Sequence, residues 1–207
     1  MIAASASAGE SDLSSSTGSK LFADLRRCVY ILVGALVVLW LILLCNGLLF
    51  GGQLLRFGIL PRSLPGLRGI MFAPFLHVGI AHLAANSVGL LMLGGLVLLR
   101  NEADFWFVTV FGALVGGLGT WLFARPDLHV GASGVIFAYF GYLASTGLFE
   151  RRLGAIVISV LAVFAWGGLI FGIVPGQRGI SWESHLFGFA AGAGAAWLIA
   201  LRKKQQS

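Results

Sequence analysis

The chain has 207 residues, 58% of them hydrophobic and 11% charged, with a mean hydropathy of +0.93 and a formal net charge of +6. A soluble domain carries about a quarter charged residues, so this composition excludes an ordinary soluble fold and places the chain in the membrane class. The basic residues sit in short connectors with no basic helix and no basic patch interleaved with aromatics, which sets nucleic acid aside as a partner and makes them topology signals.

In chain order, residues 1–24 open with a stretch rich in Ser, Ala and Gly that includes Glu10 and Asp12. It lacks a basic region followed by an apolar core, so it reads as a disordered cytoplasmic tail and not as a cleavable signal. Six apolar runs long enough to cross about 30 Å of hydrocarbon follow: Cys28 to Phe50, Ile80 to Leu99, Phe105 to Ala124, Ala132 to Phe149, Leu153 to Val174, and Glu183 to Leu201. The expected fold is an all-α membrane protein, a six-transmembrane-helix bundle over residues 25–204 with a short C-terminal tail over 205–207. The connector from Gly51 to Gly79 is too apolar for a hydrophilic loop, with Leu54, Leu55, Phe57, Ile70, Met71 and Phe75 among its residues. It predicts a partly helical, membrane-associated or re-entrant segment. Cys28 and Cys45 both fall in the first run, roughly 25 Å apart along a helix, so no disulfide is expected.

Lys and Arg set the orientation. With the N-terminus inside, Lys20, Arg26, Arg27, Arg100, Arg151, Arg152, Arg202, Lys203 and Lys204 lie inside; Arg56, Arg62, Arg68, Arg125 and Arg178 lie outside. That is nine against five of the fourteen, which favours both termini in the cytoplasm. Runs two, four and six then all begin at the outer face. His82 and Asn86 open run two, Ser133 opens run four and His185 opens run six. Four polar groups from three helices therefore share one layer, and they do so in either orientation. Small residues provide the means of contact. His185, Gly188 and Gly192 lie on one face of run six, and Gly134, Ala138 and Gly141 on one face of run four, so the two backbones can approach closely.

A serine hydroxyl becomes an effective nucleophile when a base takes its proton, and histidine suits that exchange near neutral pH. Glu183 points to another side of the helix from His185 and Asp127 lies in a connector, so a Ser–His dyad is expected without an acid. His82 and Asn86, at i and i+4, offer donors for a developing oxyanion. Taken alone they read equally as interhelical hydrogen-bonding glue; the shared layer with Ser133 and His185 favours the catalytic reading. His77 reads as a structural hydrogen-bonding residue and His129, in a connector, as solvated. With no His-Glu-x-x-His pattern or paired carboxylates, neither a metal nor another cofactor is expected. Inverted repeats and mid-membrane charges, the marks of a transporter, are not seen.

Gly131-Ala132-Ser133-Gly134 resembles the GxSG motif of rhomboid intramembrane serine proteases, His82-Leu83-Ala84-Ala85-Asn86 their HxxxN element, and His185-Leu186-Phe187-Gly188 with Gly192 their HxxGxxxG. The three stand in the family's order on runs two, four and six. The resemblance implies that Ser133 is the nucleophile and His185 its base, with His82 and Asn86 at the oxyanion site. Gly131, Gly134, Phe137, Gly188, Gly192 and His77 would then support them. It implies protein substrates anchored by a transmembrane helix, surrounding membrane lipid, and no cofactor. It also leaves open a rhomboid-like pseudoprotease that binds membrane segments without cutting them. Where the family commonly has Tyr after the serine this chain has Phe137, and where Ala often precedes the histidine it has Ser184. The minimal six-run core points to a bacterial plasma membrane. Oligomeric state has no signal in the sequence.

Overall fold

Apolar segments that meet no strand partner must close their backbone hydrogen bonds internally, and the chain does so in helices almost throughout. The computed structural model describes residues 3–176 and 179–206. Arg178, the first two residues of the expected tail and the last residue of the 205–207 tail fall outside that range. Helix α1 spans Ala3–Leu48, entering the residues expected as a tail, and its apolar part is Leu21–Leu48. Then come α2 (Ile80–Arg100), α3 (Glu102–Phe123), α4 (Ser133–Glu150), α5 (Leu153–Trp166) and α6 (Trp182–Gln205). A 3-10 stretch, Gly167–Ile173, extends α5. Among the described residues the only β pairing is an isolated bridge between Ile59 and His129.

Five of these helices are long and apolar enough to cross a membrane; α4 is not among them. Its surroundings explain why. Every residue from Val135 to Leu143 is buried, so α4 is walled by protein on all sides and need not be as apolar as a helix that faces lipid. Its polar atoms are met by neighbours: Tyr139 shares a 2.7 Å hydrogen bond with Thr109, and Tyr142 donates to Asp104 at 2.7 Å.

Helix α6 lies against α4 through main-chain contact. A Cβ at Gly188 would overlap the carbonyl of Gly134, one at Gly192 the carbonyl of Ala138, and one at Gly141 the carbonyl of Phe189. The small faces anticipated from spacing are thus in direct apposition, which sets the two helices as close as backbones allow. At the end of the bundle opposite Ser133, a buried polar network ties four helices. Arg100 pairs with Glu150 at 2.6 Å and donates to Tyr142 at 3.0 Å, while Lys203 reaches Glu150 at 3.0 Å and Asp104 at 3.3 Å. Each charge there has a partner, the condition under which charges are tolerated at such depth.

The connector between α1 and α2 forms short helical turns at Gln53–Phe57, Leu64–Leu67, Gly69–Phe72 and Ala73–Phe75. It packs on α3: Trp121 donates to the Ser63 carbonyl at 2.9 Å, Arg62 donates to the Ala124 carbonyl at 2.8 Å, and Ile70 rests on Gly117. This docking holds Ala73 where its carbonyl accepts from Gly131 N–H at 2.9 Å, just before Ser133.

The α4–α6 contact predicts a sharp contrast between glycines. Gly192→Ala forces a methyl group into a carbonyl and should cost about 1–3 kcal/mol. Gly154→Ala, where a Cβ meets nothing within 4 Å, should be neutral or slightly stabilising. Unfolding titrations of both variants in detergent check this.

Candidate active site

Gly131 turns the chain into α4 with φ +118, a conformation that favours glycine. The missing side chain also makes room, because a Cβ there would lie 2.7 and 2.8 Å from the His82 ring and 3.3 Å from Asn86 Nδ2. His82 and Asn86, on the first turns of α2, therefore face the turn that delivers Ser133. Ser133 is the first residue of α4, so its N–H and that of Gly134 have no intrahelical acceptor. His82 Nδ1 and Asn86 Nδ2 are buried with no hydrogen-bond partner. An unsatisfied buried amide donor is costly, and Asn86 Nδ2 lies beside the turn that leads to the serine.

His77 supports the same turn. Its Nε2 accepts from Ala132 N–H at 3.3 Å, and its ring meets His82 edge-on with centroids 5.1 Å apart. Since Nε2 accepts, Nδ1 carries the proton and the ring is neutral. Burial, with neighbouring His82 adding to it, pulls the His77 imidazole down to about 4.

His185 stands in the first turn of α6. Its ring stacks on Phe137, centroids 4.1 Å apart and planes within 9°. Phe137 is one turn along α4 from Ser133, so both side chains lie on the same face. His185 Nδ1 bonds the Gly172 carbonyl at 2.9 Å. Among the described residues no carboxylate bonds His185, and no hydrogen bond joins Ser133 Oγ to a His185 nitrogen. The serine and the imidazole thus occupy adjoining positions on the α4–α6 seam.

His129 departs from expectation. It is buried at 3% exposure and not solvated: Nε2–H donates to the Arg125 carbonyl at 3.1 Å, and Nδ1 pairs with Ser181, whose hydroxyl bonds Ser184 at 2.7 Å. The short connector folds back under the start of α6, and a polar ring there must find partners. Glu183, also buried, accepts from Arg125 N–H at 3.3 Å, on another side of α6 from His185. A narrow cleft opens beside Ser133, with Gly134, Ser184, His129, Gly116 and Thr120 in its wall. Of the residues close to the site, Gly172 escaped the sequence reading, for a backbone carbonyl leaves no mark in a motif.

A sequence model of the Rhomboid domain matches residues 65–202. An uncharacterized protein of Mycobacterium tuberculosis is 40% identical over 166 residues, 76% of this chain and 69% of that protein. An uncharacterized protein of Mycobacterium leprae is 39% identical over 148 residues, 67% of this chain and 59% of that protein. Rhomboid protease GluP of Bacillus subtilis is 30% identical over 134 residues, 62% of this chain and 25% of that protein.

The neutral His77 makes a prediction in pH. Above 6.5 the ring is neutral folded or unfolded, and its contribution to stability is complete. Between 6.5 and about 4 the unfolded chain takes up a proton that the folded site refuses, so stability falls with pH. The unfolding temperature should drop across that window, and drop less in His77→Gln.

Proposed function

The chain belongs to the rhomboid family, and from that premise we propose that it is an intramembrane serine endopeptidase. It cuts proteins anchored by a transmembrane helix, near the outer membrane face. The observation that carries this reading is the setting of Ser133. The His82 ring and the unpartnered Asn86 Nδ2 flank the turn that delivers it, and His185 is stacked one turn away on the same helix face.

A carbonyl oxygen only accepts, so the bond to Gly172 places the His185 proton on Nδ1 and leaves Nε2 with its lone pair. Nε2 is then the base. As substrate enters the cleft, Ser133 Oγ attacks the scissile carbonyl and passes its proton to His185 Nε2. The carbonyl oxygen becomes an oxyanion, met by Asn86 Nδ2–H, a His82 ring N–H and the free main-chain N–H groups that open α4. The tetrahedral intermediate collapses, the C–N bond breaks, and the imidazolium returns the proton to the leaving amine. Water, deprotonated by the same nitrogen, cleaves the acyl ester and restores Ser133. Catalytic hydrogen bonds are often long before substrate binds and tighten with it.

The rest of the topology is read in the same frame. Ser133–Glu150 is taken as a sixth crossing, shielded from lipid by its neighbours, and the Gly51–Gly79 connector as a membrane-associated segment. The nine-to-five distribution of Lys and Arg supports cytoplasmic termini, in a bacterial plasma membrane. The missing Ser133–His185 bond favours a second reading, a protein of the same fold that binds membrane segments without cutting them.

The test uses a model transmembrane substrate in proteoliposomes. Ser133→Ala should abolish cleavage while leaving the unfolding temperature unchanged, and Asn86→Ala should lower kcat by about 10²-fold. A fluorophosphonate probe should label the wild type at Ser133. Cleavage retained by Ser133→Ala would end the protease reading, and a well-folded wild type that neither cleaves nor takes the label would establish the binder.

A further inference from the structure

We propose that Gly172 is a positioning residue for His185, its main-chain carbonyl giving the orientation that a carboxylate gives in a three-residue relay. The inference rests on His185 acting as the base.

Stacking on Phe137 fixes the plane of the imidazole but not which nitrogen carries the proton. In a neutral ring one nitrogen is N–H and the other holds a lone pair, and the hydrogen bond made by one decides the role of the other. His185 makes that bond to Gly172 at 2.9 Å, and no carboxylate among the described residues competes for it. The useful tautomer is therefore held by one backbone oxygen. The approach favours glycine: a Cβ at 172 would come within 3.0 Å of the Phe137 ring and 3.1 Å of His185 Nδ1, so that one or both rings would have to shift by a few tenths of an ångström.

The carbonyl sits on an unusual support. The 3-10 stretch Gly167–Ile173 has no buried residue, and Ile170 and Phe171 are exposed. Short 3-10 stretches have poorer hydrogen-bond geometry than an α-helix and recur at hinges. His185 is poised only while this stretch is docked. Displacing it frees Nδ1–H, lets the two tautomers equilibrate and removes part of the competent base, without touching Ser133 or the donors on α2.

The experiment uses the full chain in nanodiscs, labelled with 15N-histidine. There are four histidines, and the His185 signals are those lost in His185→Gln. The wild type should show His185 chiefly as the Nδ1–H tautomer. Gly172→Ala should show both tautomers, with kcat lower by about tenfold or more and KM within about twofold. Gly168→Ala, on the same stretch but with nothing within 4 Å of its Cβ, should leave both readouts as in the wild type. A wild type whose His185 is the Nε2–H tautomer overturns the proposal, as does a Gly172→Ala protein with unaltered tautomer and kcat. Ser133-dependent cleavage alongside the wrong tautomer would defeat the positioning role and spare the enzyme. The right tautomer, shifted in Gly172→Ala, in a protein that never cleaves would do the reverse.

Discussion

Glycine against carbonyl is the contact on which the site depends. Gly188 on Gly134, Gly192 on Ala138 and Gly141 on Phe189 leave no slack between α4 and α6. One of these helices begins with Ser133 and the other carries His185 in its first turn, so their spacing and register place hydroxyl and imidazole at one depth. Any side chain on this seam would separate the pair. Hydrophobic burial cannot do this work inside a membrane, because lipid tails are as apolar as the helices; close van der Waals contact takes its place.

The two ends of the bundle treat polarity differently. At the Arg100–Glu150–Lys203 end every buried charge has a partner, so the network links the helices at little electrostatic risk. At the Ser133 end, His82 Nδ1 and Asn86 Nδ2 stay unpaired although buried. Leaving donors unmet costs stability, and a fold retains such a cost where the groups are needed by something that arrives later. A neutral His77 beneath the same turn fits this arrangement, since it braces Ala132 without adding a charge.

Much of this was readable in the chain. The helical class, the approximate place of five apolar helices and the small-residue faces follow from composition and periodicity, because each comes from a pattern repeated over many residues. The order of the three motifs pointed to the family that the Rhomboid domain match then showed. What escaped depends on single long-range contacts. His129 lies in a short connector and reads as solvated; it is buried because that connector folds under Ser181. Gly172 is invisible for a related reason: its role lies in a carbonyl, and every residue has one. The apolarity of Ala132 to Phe149 sufficed for a crossing on paper, yet Ser133–Glu150 falls short of the other five helices, for it carries Tyr139 and Tyr142, whose hydroxyls find their partners on α3.

That dependence bears on how the chain is made. A segment whose hydroxyls find partners on α3 and whose backbone is covered by α6 has little claim on lipid by itself as it leaves the ribosome. It leans on α2 and α3, and it stays incompletely clad until Trp182–Gln205 emerges and closes over it. Ser133 therefore arrives long before His185, and the seam between them is finished only when α6 emerges.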